Sequence, residues 1–260
     1  MAECKTPLQA TSLYWPSADK SVVNNISLSL NEGEMLGIIG PNGAGKSSLI
    51  KLLAGINKPY RGELLLAGQS QPILGRKEWA KRLGYLAQNA QLAWPISVER
   101  VVTLGRLPHQ SIHSRLSAKD KQSILWAMQA ADVEHLRHRQ ADQLSGGEQM
   151  RVMMARLLAG EPSIILADEP VASLDPAHQL EIMQLLADHA KHVGPVAVVL
   201  HDLNLALRYC HRLALIDNGR LVMIDDSREV LMSQTLADSY RLNIDVLPTS
   251  AGEVVVCHQR

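Results

Sequence analysis

A short run near residue 40 has the glycine and lysine spacing that binds phosphate groups. Residues Gly40–Ser47 read Gly-Pro-Asn-Gly-Ala-Gly-Lys-Ser, the pattern of the P-loop. The glycines let successive backbone N–H groups turn toward phosphate oxygens, and the helix that follows offers its positive N-terminus to the same anion. Lys46 is expected to reach the β- and γ-phosphates, and Ser47 to place its hydroxyl on Mg²⁺. The run therefore predicts binding of ATP or GTP.

Two carboxylates follow an apolar stretch that is typical of a buried strand. Asp168 and Glu169 come directly after Ser163–Ala167, at the carboxyl end where open α/β sheets bind ligands. Asp168 suits Mg²⁺, held directly or through water, whereas Glu169 points elsewhere and suits a general base that orients an attacking water. The alternative is an acidic helix cap. His201 ends a second apolar stretch, Val196–Leu200, and could contact a γ-phosphate, although a lone histidine is more often structural.

A third motif predicts another anion site. In Leu144–Glu148, Ser145 is a helix N-cap with Glu148 three residues later as its capping-box partner, and the two intervening glycines allow close approach. A helix N-terminus favours an anion. Because the P-loop already supplies one anion site, the second predicts a second nucleotide.

The elements that must position these residues alternate between strands and helices, which indicates an α/β fold with a parallel sheet. Leu8–Leu30 is predicted to form short strands, and residues 89–143 a helical insert with a capping box at Ser117–Asp120. Val246–Val256 is predicted to form a small hairpin. The other predicted strands are Met35–Ile39, Glu63–Leu66, Ile164–Ala167 and Val196–Leu200. One predicted helix begins at Ser47, and the others cover Ser145–Ala159, Pro176–His192 and Leu203–His211.

Composition narrows the class of protein. Lys+Arg and Asp+Glu both number 26, so the formal charge is zero and no nucleic-acid partner is expected. Hydrophobic residues make up 46% and aromatic residues only 3%, which predicts an aliphatic core. The three cysteines lie far apart and indicate free thiols in a reducing compartment. We expect no signal peptide, and no apolar run approaches the roughly 20 residues of a bilayer span, so another chain would have to form any membrane path.

The ordered set of motifs resembles the ABC ATPase family from about residue 8 to residue 245. The P-loop is followed by Gln88 at the Q-loop position, Leu144–Glu148, Asp168-Glu169, the D-loop Ser173-Leu174-Asp175 and His201. The resemblance implies a RecA-like P-loop NTPase core with a mainly parallel sheet, an N-terminal antiparallel β subdomain and an inserted α-helical subdomain. It divides a single domain into residues 1–88, 89–143, 144–245 and a tail, 246–260.

The resemblance also implies roles for individual residues. Gln88 would sense Mg²⁺ and the attacking water, Ser145 and Gly147 would bind the γ-phosphate of ATP held by a partner subunit, and Asp175 would carry signals between the two sites. Tyr14 is the favoured residue under the adenine ring, with Trp15 as the alternative and simple packing as a third possibility. The remaining residues expected to contact the nucleotide are Asn42, Gly43, Gly45, Lys46, Ser47 and Ser48.

Two positions depart from the family pattern. Met150 stands where Gln is usual, and Val171 stands where Thr is usual. Neither change removes a group from the reaction, so we expect tuned activity and not lost activity.

Finer resemblance favours a bacterial importer. Trp94–Glu99, Leu104-Gly105-Arg106, Asp175–Gln179 and His201–Ala206 are similar to the ATPases that serve iron-siderophore, haem and cobalamin importers, and zinc and manganese importers share parts of them. The implied partners are a second copy of the chain, membrane permease subunits and a periplasmic binding protein, and the implied place is the cytoplasmic face of the inner membrane. A non-transport ABC ATPase that acts on ribosomes or DNA is the alternative.

Overall fold

The computed structural model describes residues 7–16, 21–88, 92, 95–111, 115–172, 174–250 and 252–260. The strands in chain order are β1 (Leu8–Pro16), β2 (Ser21–Leu30), β3 (Met35–Ile39), β4 (Arg61–Leu66), β5 (Gln69–Ser70), β6 (Leu83–Leu86), β7 (Ile164–Asp168), β8 (Val196–Val199), β9 (Arg212–Asp217), β10 (Arg220–Asp226), β11 (Leu242–Thr249) and β12 (Gly252–Gln259). The α-helices are α1 (Lys46–Leu53), α2 (Gln71–Leu74), α3 (Arg76–Arg82), α4 (Val98–Thr103), α5 (Ala118–Ala130), α6 (Gly146–Ala159), α7 (Pro176–His192), α8 (Leu203–Tyr209), α9 (Ser227–Leu231) and α10 (Gln234–Tyr240).

A six-stranded sheet in the order β10-β9-β3-β8-β7-β6 forms the centre of the molecule. All its neighbours run parallel except β9 and β10, which form an antiparallel pair. The strands are short and aliphatic, and β3, β7 and β8 are buried along their whole length. Continuous apolar strands of this kind are typical of a parallel sheet covered on both faces. The predicted α/β fold with a mainly parallel sheet is confirmed.

Alternate residues of the central strands enter two separate hydrophobic cores. On one face, Ile38 and Leu166 pack with α1 and the N-terminal strands. On the other face, Ile39 and Ala167 pack with α6, α7 and α8. Successive side chains of a strand point to opposite faces, so a single sheet holds both layers. The layers fix the strand ends at which the candidate site lies.

The N-terminal strands form a four-stranded antiparallel sheet in the order β2-β1-β4-β5. Leu8–Leu30 was predicted to form short strands, but β1 has 9 residues and β2 has 10. Their pairing contains register shifts, and Ser12 and Asn25 have positive φ angles. Irregularities of this kind bend a long ribbon without ending it. They interrupt the polar–apolar alternation that would have shown the full strand length.

The helical character predicted for residues 89–143 is found in α4, α5 and three 3₁₀ segments. The predicted capping box at the start of α5 is confirmed, because Ser117 accepts from the Asp120 amide while Asp120 accepts from the Ser117 amide. The division of the chain at residues 88, 143 and 245 remains a prediction.

A buried arginine attaches this segment to the end of α6. Arg106 is 2% exposed, and its guanidinium donates to Asp120 Oδ1 (2.8 Å), Glu161 Oε2 (3.0 Å) and the Ala159 carbonyl (2.9 Å). Ser123 donates to the other Glu161 oxygen at 2.7 Å. Because each buried charge has a partner, the network avoids the penalty of an unpaired buried ion. It fixes the 3₁₀ segment Leu104–His109 and α5 to the carboxyl end of α6.

The predicted C-terminal hairpin is present but longer, as the antiparallel pair β11 and β12. Of the two described cysteines, Cys210 is buried and Cys257 exposed, and both are free thiols; Cys4 lies outside the described residues. No helix in the described ranges is long and apolar enough to cross a membrane.

Candidate nucleotide-binding and hydrolysis site

Four neighbouring strands of the central sheet end at the candidate site. The P-loop follows β3, His201 follows β8, Asp168 ends β7 with Glu169 next, and Gln88 follows β6. Because β3, β8, β7 and β6 are parallel neighbours, their carboxyl ends lie along one edge of the sheet. This is the edge at which open α/β sheets bind their ligands.

The P-loop presents an open helix N-terminus. Among the described residues, no side chain caps α1, whose N-cap is Gly45 in a left-handed conformation (φ +102°). A Cβ atom on Gly45 would lie 2.3 Å from the Val22 carbonyl oxygen, so only glycine fits there. The first amides of α1 are therefore available to an anion, as the sequence predicts.

Lys46 is buried inside the loop that it serves. Its side chain donates to the carbonyl oxygens of Gly40 (2.7 Å) and Pro41 (3.0 Å). Burial lowers the pKa of the Lys46 amine, and the nearby carboxylates Glu169 and Asp168 oppose that shift. The loop carbonyls thus hold the ammonium group at the site, from where it can exchange to phosphate oxygens.

Ser47 and Asp168 meet across the site. The Ser47 hydroxyl donates to Asp168 Oδ1 at 3.1 Å, and Asp168 is only 1% exposed. Burial raises the pKa of the Asp168 carboxyl, while the hydrogen bond from Ser47 acts in the opposite direction. A hydroxyl beside a buried carboxylate is an oxygen pair of the kind that Mg²⁺ prefers, so the residues fit the predicted metal.

Gln88 and His201 both contact the carboxylate of Glu169. The Gln88 amide donates to Glu169 Oε2 at 2.6 Å, and His201 Nε2 lies 2.6 Å from Glu169 Oε1. Glu169 has a positive φ of 52°, a conformation that is costly for a non-glycine residue and is common at active sites. The structure therefore brings together three residues that were selected separately from the sequence.

The start of α6 is a capped helix end that is open to solvent. The Ser145 hydroxyl accepts from the Glu148 amide (3.3 Å) and donates to Glu148 Oε2 (2.9 Å), which confirms the predicted capping box. Ser145 and Gly146 are exposed, and a Cβ atom on Gly146 would meet no described atom within 4 Å. Both described hydrogen bonds of the Ser145 hydroxyl go to Glu148, so its expected contact with a partner's nucleotide, like that of Gly147, remains a prediction.

A glutamine in α7 holds the segment that follows Glu169. Asp175 is the exposed N-cap of α7 and contacts His178 Nδ1 at 2.6 Å, and the pKa of the Asp175 carboxyl is lowered mainly by its bond from the His178 amide. Gln179 donates to the carbonyls of Val171 (3.2 Å) and Leu174 (3.1 Å). Ser173 lies outside the described residues.

The aromatic candidates for the adenine ring have other neighbours. The Tyr14 ring packs edge-on against Tyr60, with centroids 6.2 Å apart, and Trp15 packs against the core that contains α1. The described contacts do not place either ring on the P-loop, so the adenine contact stays a prediction. The other candidates lie on the loop and in α1, with Asn42 and Gly43 exposed and Ser48 half-buried.

Two residues that the sequence did not single out also contact the site region. The Tyr240 hydroxyl accepts from the Gly40 amide at 2.9 Å, although the two residues are 200 positions apart. Gln149 donates to the Leu144 carbonyl (3.1 Å) and accepts from the Leu92 amide (3.5 Å), while its neighbour Met150 is buried in the core. The glutamine joins the loop after Gln88 to the start of α6, and its position beside Leu144–Glu148 was the only signal in the sequence.

Comparisons with known proteins agree with this geometry. The profile of the family described as ABC transporter matches residues 23–172, more than half of the chain. The chain is 43% identical to the hemin import ATP-binding protein HmuV of Pseudomonas aeruginosa over 247 residues, which cover 91% of the chain and 93% of that protein. It is 34% identical to the ferric enterobactin transport ATP-binding protein FepC of Escherichia coli over 259 residues, covering 98% and 96%.

Solved structures show the same fold. A chain from an inward-facing, metal-chelate type ABC transporter superposes with a TM-score of 0.84 at 25% identity, with 98% of each chain covered. A dimeric ATP-binding cassette with bound ADP and phosphate superposes with a TM-score of 0.73 at 28% identity, covering 85% of this chain and 99% of the other. The chain therefore belongs to the ABC transporter family, and it is an ATP-hydrolysing subunit of that family.

Proposed function

We propose that the chain powers a bacterial importer of haem, iron-siderophore or cobalamin by binding and hydrolysing ATP as a homodimer. The observation that carries the ATPase part is the Glu169 carboxylate, held between Gln88 and His201 beside the P-loop. The cargo class is supported by the relatives that import hemin and transport ferric enterobactin. The same relatives favour import of iron chelates over import of zinc or manganese.

The geometry supports attack of water on the γ-phosphate with Glu169 as general base, in which the bond from the γ-phosphorus to the bridging oxygen breaks and ADP leaves. Hydrogen bonds from Gln88 and His201 to separate oxygens fix the carboxylate plane, so that a remaining lone pair can accept a proton from water. Lys46 leaves its loop carbonyls to bind the β- and γ-phosphates. Ser47 and Asp168, with Gln88 as a further candidate, would hold Mg²⁺, which would supply positive charge to the phosphate oxygens when bound. His201 lines the same cavity as residues 40–44 of the P-loop and would act as a second donor to the γ-phosphate.

The site is completed by a second copy of the chain. The exposed start of α6 offers Ser145 and Gly147 to the γ-phosphate of the partner's ATP, and Asp175 on the neighbouring segment links the two sites. The solved dimer of a related cassette supports this arrangement. Two ATP molecules would then lie between two copies.

A groove of about 310 Å³ is the proposed contact for a membrane permease. It lies between β6, which leads to Gln88, and the 3₁₀ segment Leu104–His109 packed on α6. The chain would thus bind at the cytoplasmic face of the inner membrane. A periplasmic binding protein would deliver the cargo from the other side.

The decisive experiment is the Glu169→Gln variant with MgATP. Loss of the base should lower turnover by about 100-fold or more and leave ATP bound, so that a dimer accumulates in size-exclusion chromatography. Glu181→Gln on α7 is the matched control and should behave like wild type. A Glu169→Gln chain that stays monomeric and hydrolyses ATP normally would contradict both the base and the dimer.

Pull-down from detergent-solubilised membranes tests the transport part. We expect a multi-span permease to co-purify, and uptake of labelled haem or ferric siderophore into vesicles that hold the complex. Recovery of ribosomes or DNA without a permease would favour a non-transport ATPase. Uptake of zinc or manganese in place of the iron chelates would change the cargo class.

A further inference from the structure

The C-terminal segment forms one wall of a cavity beside the P-loop. The cavity has a volume of about 700 Å³ and is lined by residues 40–44 of the loop, by His201 and by residues 238–241 at the end of α10. Arg241 closes α10 in a left-handed conformation with φ +57°. The end of α10 therefore lies beside the phosphate-binding loop.

Tyr240 makes the direct connection. Its hydroxyl accepts a hydrogen bond from the Gly40 amide at 2.9 Å, and burial raises the pKa of this phenol, so it stays neutral at physiological pH. The Gly40 amide comes at the start of the loop, ahead of the helix amides that face the phosphates. An external acceptor at this point fixes where the loop begins.

Gly40 is restrained from two further directions. A Cβ atom would lie 2.0 Å from the Ile216 carbonyl oxygen, which shows how closely β9 packs against the glycine. The Gly40 carbonyl accepts from Lys46 at 2.7 Å. Lys46 must exchange this carbonyl for phosphate oxygens when ATP binds, and the Tyr240 contact then remains as a hydrogen bond that holds Gly40 in place.

The hairpin behind Tyr240 is fixed to the helix that follows His201. Asn204 in α8 accepts from the Val255 amide at 2.7 Å and donates to the Val255 carbonyl at 3.3 Å. One side chain thus satisfies both backbone groups of a residue in β12. The C-terminal unit, residues 234–250 and 252–259, therefore contacts the P-loop at Tyr240 and α8 at Val255.

We infer that Tyr240 is a positioning residue for ATP, through which the C-terminal unit fixes the P-loop relative to α8. The inference rests on the proposed ATP site and deepens it. A phenol-to-amide bond is directional, and its loss leaves the Gly40 N–H without its acceptor. The P-loop would then sample positions in which its amides miss the phosphates. The effect is expected on nucleotide binding more than on the chemical step.

The first test is Tyr240→Phe, with Tyr209→Phe in α8 as the matched control. We expect Tyr240→Phe to raise KM for MgATP by roughly three- to tenfold with kcat within about twofold of wild type, because only a neutral hydrogen bond is lost. Tyr209→Phe should change neither constant. A folded Tyr240→Phe chain with the wild-type KM would overturn the inference, whereas a wild-type chain without ATP hydrolysis would instead overturn the proposed function.

The second test uses Asn204→Ala, which leaves Tyr240 and the loop intact and also serves if Tyr240→Phe does not fold. We expect faster hydrogen–deuterium exchange in the peptide that contains Gly40, and a rise in KM in the same direction. Because both changes act through one connection, the effects on KM should be less than additive in the double variant. Unchanged exchange, or additive effects, would overturn the role of the hairpin.

Discussion

The N-termini of α1 and α6 are both proposed to bind an anion, but they are built in opposite ways. α1 begins after Gly45 without a side-chain cap among the described residues, and strand β2 lies against that glycine. α6 begins with a complete capping box and is exposed to solvent at Ser145. An uncapped end has donors that require a ligand, whereas a capped end is stable alone. The difference supports the proposal that α1 binds the chain's own nucleotide and that α6 binds a nucleotide held by another copy.

The largest effect on ATP binding is expected from a substitution at the N-terminus of α1. Gly45→Ala would force a Cβ atom against the Val22 carbonyl at a positive φ angle, which displaces the loop amides. We expect ATP affinity to fall roughly 100-fold, corresponding to strain of about 3 kcal/mol. Equilibrium binding of MgATP to the isolated chain measures this.

The matched control is Gly146→Ala at the start of α6. That position is open, so the added methyl meets no described atom. ATP affinity of the isolated chain should stay within about twofold of wild type. Equal losses in the two variants would show that the two helix ends do not differ as proposed.

A smaller effect is expected from Ser145→Ala. The variant removes the N-cap and the hydroxyl proposed to meet the partner's nucleotide, so α6 should lose about 1 kcal/mol of stability and turnover should fall by roughly tenfold. ATP binding to the isolated chain should be unchanged, which is the feature that separates α6 from α1.

Glu148→Ala separates the cap from the chemistry. It removes the acceptor of the Ser145 amide and keeps the hydroxyl. We expect a similar shift in the urea midpoint but a smaller loss of turnover than in Ser145→Ala. If Glu148→Ala lost more turnover than Ser145→Ala, Ser145 would act only as a helix cap.

The smallest effect is a difference in acid sensitivity. The bond from the Ser145 amide lowers the pKa of Glu148, with the Ser145 hydroxyl as a further cause. A lowered folded-state pKa contributes stability that is present above the unfolded value near 4.5 and is lost as pH falls through the folded pKa. Glu148→Gln should therefore show a flatter loss of stability below about pH 4.5 than wild type. If the stability of Glu148→Gln and of wild type fell equally with pH, the Glu148 charge would not stabilise the start of α6.

Local patterns allowed the prediction of much of the fold and of the separate site residues. The P-loop, the boxes at Ser117 and Ser145 and the limits of α7 depend on residues a few positions apart. The convergence on Glu169 was also accessible in principle, since strand ends in a parallel sheet share one edge. Each of these features is fixed by short-range chemistry or by sheet topology.

The contacts that escaped prediction join segments that are distant in the sequence through side chains. The bond between Tyr240 and Gly40 and the charge network of Arg106 depend on where helices pack, which no spacing in the sequence records. Tyr14 is a similar case, because its neighbour Tyr60 is brought to it by the pairing of β1 with β4. Such contacts follow from the tertiary structure and cannot be derived from periodicity.

The arginine network at Arg106 has a mechanical consequence. α6 has 14 residues and is therefore about 21 Å long, with Ser145 at one end and the Arg106 contacts at the other. Because a helix of this length is stiff, a small tilt at its carboxyl end produces a larger displacement at its N-terminus. If a permease binds the groove beside Leu104–His109 as proposed, a movement there would be carried along α6 to Ser145, at the end proposed to face the partner's nucleotide.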